Sequence, residues 1–188
     1  MKIPIPDISK QIYKEDTLNV LVNNYAIIGP QWTAHQMEWA NSIYASFKDP
    51  NKFLIIIYLI KKTLDFYSRN FTKLSYQDFY SRNTVEIEKF NVIEISKNID
   101  LPKESTRRKI IELEKSGIIK RNNKKILIDR SIYPFVKPDD SIKRISRFLS
   151  AFSKILNNKK ILPTELSSEH LEKVIKANFT HVWKIYYE

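Results

Sequence analysis

Gly117 is one of only two glycines among 188 residues, and its position narrows the possible folds of the chain. It follows Thr106, Ile110 and Leu113, whose spacing places them on one face of a helix. A β-prone run at 118–121 comes directly after it. A residue between a helix and a strand often adopts the left-handed backbone conformation, which glycine adopts without a steric penalty. The sequence therefore predicts that a helix ends before Gly117 and that a strand begins after it.

Upstream of this helix, a shorter helix and a tight turn are predicted. Asn91, with Glu94 three residues later, is typical of the capping pair that opens a helix, and the helical pattern runs to Asn98. The next helix is predicted over 102–116, because Pro102 suits the first turn of a helix. Two helices joined by so short a connection indicate a helix-turn-helix.

The residues after Gly117 predict a β-hairpin, with strands at 118–121 and 126–129 joined by the turn 122–125. Residues 84–87 are expected to supply a short strand that pairs with it. Helix, tight turn, helix and hairpin are the order of elements in a winged helix-turn-helix. In that fold the second helix enters the major groove of DNA.

The run from Glu94 to Arg121, EISKNIDLPKESTRRKIIELEKSGIIKR, is similar without a gap to the DNA-binding half of GntR-type bacterial regulators. In that family a typical run reads E-L-A-x-x-L-G-V-S-R-T-T-V-R-R-A-L-x-x-L-E-x-x-G-L-I. The chain departs from the family at Asp100, where glycine is usual, and in the turn, where Asn122-Asn123 replaces a Gly-x-Gly wing. The matching positions are Glu94, Ile95, Ile99, Ser105, Arg107, Arg108, Ile110, Leu113, Glu114, Gly117, Ile118 and Ile119.

The resemblance implies that the second helix carries the DNA contacts. In GntR-type modules, base-edge and phosphate contacts come from positions that match Lys103, Ser105, Arg107 and Arg108. Arginine and lysine are suited to guanine O6 and N7, and basic residues of the hairpin are expected to meet phosphates or the minor groove. The candidate DNA-binding residues are therefore Lys103, Ser105, Arg107, Arg108, Lys120, Arg121, Lys124 and Lys125.

The charge distribution favours an anionic partner. The chain carries 32 basic and 21 acidic side chains, a net charge of +11. Residues 91–130 hold 11 basic and 6 acidic side chains, whereas the longer segment 1–90 holds 11 and 9. Residues 131–188 hold 10 and 6. The basic excess is therefore densest on the predicted helix-turn-helix and hairpin, as expected of a surface that binds DNA.

Outside this module the chain is predicted to be mainly helical. Asp49-Pro50 are an N-cap and first-turn pair that begin a helix ending near 68. Another helix is expected over 33–47, whereas 17–28 fits a helix or an extended arm. The fold class is thus mainly α with a small β-wing: a winged helix-turn-helix flanked by N- and C-terminal helices. The segments are 1–48 (arm and helix), 49–132 (winged helix-turn-helix) and 133–188 (C-terminal helices).

The flanking helices predict a homodimer, a layout that resembles MarR-type regulators. A single winged helix reads few base pairs, so a pair related by two-fold symmetry is needed to find a site. We expect the interface on the amphipathic helix 139–157 and on a terminal helix that Ser167 or Ser168 caps. The apolar residues proposed for it are Ile142, Ile145, Phe148, Leu149, Phe152, Ile155, Leu156 and the run 182–187.

Enzymatic chemistry is not predicted. The three histidines, His35, His170 and His181, lack the spacing of a metal-ligand motif, and no cofactor or metal is expected. Two glycines cannot form a Gly-rich phosphate loop, and the absence of cysteine excludes disulfides. No signal peptide is recognised at the start of the chain. Its longest apolar run, 53–60, is shorter than a membrane span, so a cytoplasmic protein is expected.

The function predicted from the sequence is sequence-specific binding of double-stranded DNA by a prokaryotic transcriptional regulator. One alternative is a replication initiator or partition protein of a plasmid or phage. Another is a winged helix that binds a protein partner. No pattern identifies an effector ligand, and the repeated DFYSRN hexapeptide at 65–70 and 78–83 is attributed to a small local duplication.

Overall fold

The chain folds into two compact units, seen in a computed structural model that describes residues 12–70, 73–81, 84–87, 91–122, 125–129 and 138–187. Unit 1 comprises Met1–Asn41 and Pro138–Ala177, and unit 2 comprises Ser42–Lys137 and Asn178–Glu188. This division differs from the segments predicted with boundaries at 48/49 and 132/133. The N-terminal helices pack with the first part of the C-terminal region, while the last helix packs within unit 2.

The described residues are mainly helical, which confirms that part of the predicted fold class. The helices are α1 (Lys14–Asn23), α2 (Tyr25–Phe47), α3 (Pro50–Arg69), α4 (Tyr76–Ser81), α5 (Val92–Asn98), α6 (Lys103–Lys115), α7 (Asp139–Asn158), α8 (Ser168–Ala177) and α9 (Phe179–Tyr187). The strands are β1 (Thr84–Ile87), β2 (Ile119–Asn122) and β3 (Lys125–Asp129). No described helix has the length and apolar content required to cross a bilayer.

Two central helices of unit 2, α3 and α5, begin at the capping residues that the sequence predicts. Asp49 caps α3 as predicted, since its carboxylate accepts from the amides of Asn51 (3.0 Å) and Lys52 (3.4 Å). Asn91 likewise caps α5, accepting from the Ile93 amide at 2.9 Å. The predicted partnership of Asn91 with Glu94 is not made, because the Glu94 side chain contacts α3.

The turn between α5 and α6 is tight and locally stabilised. Asp100, which stands where the GntR pattern has glycine, adopts φ 50°, a left-handed conformation that aspartate tolerates better than most residues. The Ser96 hydroxyl donates to the Leu101 carbonyl at 2.6 Å across the turn. Pro102 precedes α6 as its N-cap rather than lying in its first turn.

Gly117 ends α6 as its position predicts. Its φ is 75°, its amide donates to the Glu114 carbonyl, and the Ile118 amide donates to the Leu113 carbonyl at 3.1 Å. These two bonds form the Schellman motif, which satisfies carbonyls at a helix end and turns the chain sharply. The backbone therefore passes directly from α6 into β2.

The strands pair in a three-stranded antiparallel sheet with the order β1-β3-β2. Val85 lies opposite Ile128 on one side of β3, and Ile119 lies opposite Ile128 on the other. The strand expected at 84–87 thus occupies the edge of the sheet beside β3 and packs near α3. Helices remain the dominant element of the described chain.

One apolar core joins α3, α5, α6 and the sheet. Its buried residues come from every one of these elements, and each is at most 1% exposed. Thr106, Ile110 and Leu113, predicted to form the buried face of the second helix, are buried as expected. The core residues are Ile55, Ile56, Leu59, Ile95, Ile110, Leu113, Ile119 and Ile126.

The C-terminal region forms two helices rather than the single terminal helix expected. α8 ends at Ala177, Asn178 forms a turn, and α9 then packs on α3 and α4 within unit 2. Ser167 caps α8, because its hydroxyl accepts from the His170 amide at 3.2 Å. Phe179 is fully buried and Trp183 is nearly so. The helix proposed for dimerisation therefore contributes its largest side chains to a core.

The apolar stripe of α7 is also core. Ile142, Ile145, Phe152 and Leu156 are all buried, because α8 and α1 pack against this helix within unit 1. Phe152 and Leu156 form a cluster with Val20, Ile28 and Leu162. The expectation that this stripe is a dimer interface is wrong, since its own chain covers it.

A buried histidine joins α2 to α7 by a hydrogen bond within unit 1. His35 of α2 is 2% exposed, and the Arg144 Nε of α7 donates to its Nδ1 at 3.3 Å. The same guanidinium reaches Glu38 at 2.8 Å. Burial lowers the pKa of His35, the charge of Arg144 lowers it further, and the opposing effect of Glu38 is smaller. The imidazole is therefore neutral where it accepts from Arg144.

This arrangement predicts a pH-dependent stability. As pH falls from about 7 to about 5, the unfolded chain protonates His35 near its ordinary pKa while the folded chain resists, so the free energy of unfolding should decrease. Replacing His35 by glutamine should flatten that slope, because the buried imidazole is then absent. Urea titrations at several pH values measure it, and equal slopes for the wild type and the His35 variant would contradict the prediction.

Candidate nucleic-acid interface

The first half of α6 has a buried side and, opposite to it, an exposed basic side. Thr106 and Ile110 face the core and are at most 1% exposed. Lys103, Arg107 and Arg108 point away from it and are exposed. Because the buried side is fixed by packing, the outward side chains start from a rigid backbone. Ser105, also predicted to contact DNA, lies half-buried in the same turn.

The two guanidiniums on this surface are only loosely paired. Arg107 Nη1 lies 3.8 Å from Glu104 Oε2, and the Arg107 side chain is 64% exposed. Arg108 Nε lies 3.9 Å from Glu112 Oε1, and its side chain is 70% exposed. Long ion pairs in solvent contribute little free energy, so both groups can exchange these partners for a stronger acceptor at small cost.

Two carboxylates, Glu112 on α6 and Asp49 at the start of α3, are paired with lysines of the chain. Lys109 Nζ lies 2.7 Å from Asp49 Oδ2 and 3.0 Å from Glu112 Oε2, while Lys52 Nζ lies 2.9 Å from Glu112. Hydrogen bonds from Lys52 and Lys109 lower the pKa of Glu112, and the bond to Asp49 raises the pKa of Lys109. Burial opposes ionisation of Asp49, but its hydrogen bonds outweigh that effect and lower its pKa.

These ion pairs join α6 to the N-terminal end of α3. They remain charged at neutral pH, since both carboxylates have lowered pKa values and the lysine has a raised one. These ion pairs also affect the charge of the α6 surface. The negative charge of Glu112 is shared with the closer Lys52 and Lys109, so it offsets the more distant Arg108 only weakly.

Arg121 forms a fork with Glu114 rather than standing free on the strand. Its Nε lies 2.9 Å from both carboxylate oxygens, and its Nη2 donates to Oε2. The hydrogen bonds from Arg121 lower the pKa of Glu114. This bidentate pair joins β2 to the end of α6 and occupies a residue that the sequence assigned to DNA.

A separate polar contact fixes α5 against α3. The Tyr58 hydroxyl donates to Glu94 Oε1 at 2.7 Å, and Lys62 Nζ lies 2.7 Å from the same oxygen. Hydrogen bonds from Lys62 and then Tyr58 lower the pKa of Glu94, while burial and the bond to Glu94 raise that of Tyr58. Glu94, read as a capping residue in the sequence, thus holds the first helix of the turn in place.

The N-terminus of α6 has no side-chain cap, since Pro102 offers no side-chain acceptor. The Thr106 amide donates back to the Pro102 carbonyl, as the first helical bond. The amides of 103–105 precede that bond and carry the positive end of the helix dipole. They lie in the turn that also holds Lys103.

No protein-family model, curated protein or solved structure matches the chain. Its site must be judged from its own geometry. Across the described part of the chain, histidine, aspartate and glutamate form no group of three or more that could hold a metal ion.

The eight predicted DNA-binding residues do not form a single group. Lys103, Ser105, Arg107 and Arg108 lie together on α6, while Lys120 is exposed on β2. Arg121 is exposed but engaged by Glu114. Lys124 lies outside the described residues, and the backbone of Lys125 lies in β3 opposite Asn122.

Two exposed cations of α5 and α6 were not among the residues predicted to bind DNA. Lys97 lies in the last turn of α5, next to the tight connection, and Lys115 lies in the last turn of α6. Lys97 was recognisable from its position in the first helix of a helix-turn-helix, because that helix crosses the DNA backbone. Lys115 gave no comparable signal.

Proposed function

We propose that unit 2 is a winged helix-turn-helix that binds double-stranded DNA with α6 in the major groove. The observation that carries the proposal is the division of α6 into two parts. Its first half presents exposed, loosely paired cations, whereas its second half is held by ion pairs to α3 and β2. A recognition helix requires both properties, since its base contacts come from its N-terminal residues.

The chemistry of the exposed groups supports this role. Arg107 and Arg108 carry the donor pairs that match guanine O6 and N7, and Lys103 carries a single cation suited to guanine or phosphate. The uncapped amides of 103–105 suit a phosphate oxygen at the positive end of α6. Together they combine base reading with backbone positioning in a single turn and a half.

In this proposal the hairpin contributes backbone contacts. Lys120, Lys124 and Lys125 contact phosphates or the adjacent minor groove, and Lys97 meets the phosphate strand on the other side of α6. Arg121 instead keeps the strand aligned with α6 through Glu114. We therefore propose that the protein is a cytoplasmic transcriptional regulator that acts as a dimer.

The experiment is a titration of fluorescent duplex DNA at several salt concentrations. If about four to six phosphates are neutralised, log K should fall with log salt with a slope of about −4 to −5, because each contact contributes close to −0.9. An acidic peptide of equal charge is the comparison, since a protein-binding winged helix would prefer it. Binding to DNA weaker than micromolar at low salt, without a slope, would remove the proposal.

A further inference from the structure

The outward face of α2 in unit 1 is exposed and apolar. One side of this helix packs inward through Ile28 and His35, which are 1% and 2% exposed. The opposite side faces solvent, and Met37 on that side is 60% exposed. Ile27, at the margin of this side, is 66% exposed. We name the residues of this side the α2 face: Ala26, Pro30, Thr33, Ala34, Met37 and Ala40.

The charge content of α2 is unusual for a helix at a surface. Of the whole chain, 28% of residues are charged, yet α2 has one charged side chain in 23 residues, Glu38. That carboxylate is paired with Arg144 and lies outside the α2 face. A surface helix ordinarily carries charged side chains opposite its buried stripe, and a helix apolar on both sides is ordinarily buried on both.

The surface of the α2 face has a shallow hollow at its centre. Gly29 has no side chain there, and the Tyr25 ring lies so close that a Cβ on Gly29 would be 2.8 Å from it. The hollow, of about 560 Å³, lies between Tyr25 at one end and Met37 at the other. Small side chains between two large ones allow close approach of another helix.

We propose that the α2 face is the contact through which two copies of this chain dimerise. This inference does not rest on DNA binding by unit 2. The exposed area is adequate when the margins of the α2 face are included: Met37 on the face, and Tyr25 and Ile27 beside it, each expose more than half of their surface. With the small residues, this offers on the order of 500 Å² per copy, close to the ~1,000 Å² total of a specific interface.

The charge of the chain favours a second copy as the occupant. Each chain carries a net charge of +11, so two copies meet with least repulsion at a surface without lysine or arginine. An acidic partner would require lysine or arginine on the contact helix, as would a helix lying on an anionic membrane. α2 contains neither residue. Depletion of charge is also the compositional mark of an interface centre.

Two-fold symmetry fits the order of side chains. An antiparallel pair with its axis between Pro30 and Thr33 places Met37 of each copy opposite Ala26 of the other. Met37, the largest side chain of the α2 face, then meets a small one, which allows the two helices to pack closely. The same surface serves both copies, which makes the contact isologous and closed, and no further copies can add.

The test is the mass of the full-length chain in solution, measured without DNA by light scattering at tens of micromolar. We expect twice 22.3 kDa for the wild type. Met37→Glu should raise the dimer dissociation constant at least about tenfold, because it buries an unpaired charge. Gln31→Glu adds the same charge at an exposed position of α2 outside the α2 face and should remain a dimer. A monomeric wild type, or a Met37→Glu variant whose dimer dissociation constant is unchanged on dilution, would overturn the proposal.

A rescue variant tests the pairing itself. Ala26→Lys combined with Met37→Glu should restore the dimer, because the lysine of one copy meets the glutamate of the other. Within one chain the two positions are about 16 Å apart along the helix, too far to pair. A double variant as monomeric as Met37→Glu would overturn the antiparallel arrangement. Circular dichroism should show equal helix content throughout, since both positions are exposed.

Discussion

Replacing Lys103, Arg107 and Arg108 together by alanine is expected to weaken binding to a preferred DNA duplex at least about a hundredfold. A side chain that contacts a base is worth about 1–3 kcal/mol, and 1.4 kcal/mol is a factor of ten. Stability should change little, because all three side chains are exposed and their ion pairs are long. Fluorescence anisotropy with duplex DNA measures the affinity, and a thermal melt checks the fold.

The matched control removes the same charge from unit 1. Lys143, Arg147 and Lys154 are exposed on α7, so their joint replacement by alanine lowers the net charge equally. If that variant binds DNA as weakly as the α6 variant, net charge alone explains the effect and the assignment of α6 fails. Single changes sharpen the comparison: Arg107→Ala should reduce sequence preference, whereas Lys120→Ala should weaken every sequence about equally.

Local signals account for what the sequence predicted well. The start of α3 at Asp49-Pro50, the range of α5 and the end of α6 at Gly117 depend on residues a few positions apart. Caps, fixed φ angles and left-handed glycine act within one turn of the chain, so they can be recognised in the sequence. The four candidate residues on α6 lie together for the same reason, since helical spacing alone sets their positions.

Distant contacts account for what was missed. Lys109 pairs with Asp49, and Glu94 is held by Tyr58 and Lys62, across separations that no local pattern encodes. Arg121 illustrates the consequence. A basic residue on a strand after a recognition helix indicates a phosphate contact, but its partner Glu114 is set by the geometry of the Gly117 turn.

Periodicity reveals an apolar face but not what covers it. The stripe of α7 has the pattern of either core or interface, and in the fold it is core, because α8 and α1 pack on it. α2 is the opposite case, because its exposed apolar face was not predicted. Its predicted helix began at residue 33, yet the helix starts at Tyr25 and continues through Gly29-Pro30, residues that usually interrupt helices. The exposed apolar surface could be found only once the rest of unit 1 was in place.

Leu113→Ala is expected to have the largest effect on stability, about 2–5 kcal/mol lost from the free energy of unfolding. Leu113 is fully buried at the point where α6 meets α3 and the sheet, so a cavity would open among three elements. Domains are stable by only about 5–15 kcal/mol, so such a loss would bring unit 2 close to unfolding. Urea titration followed by circular dichroism measures it.

Ile93→Ala is the control for that change, since Ile93 is 46% exposed on α5 and its truncation should cost well under half as much. Equal shifts for the two variants would mean that the core is not organised around α6. A comparison of Leu113→Ala with the α6 triple variant also separates a loss of folding from a loss of DNA recognition. Leu113→Ala should lose DNA affinity only in proportion to the fraction unfolded and recover it on cooling, whereas the α6 triple variant should bind weakly at every temperature at which it is folded.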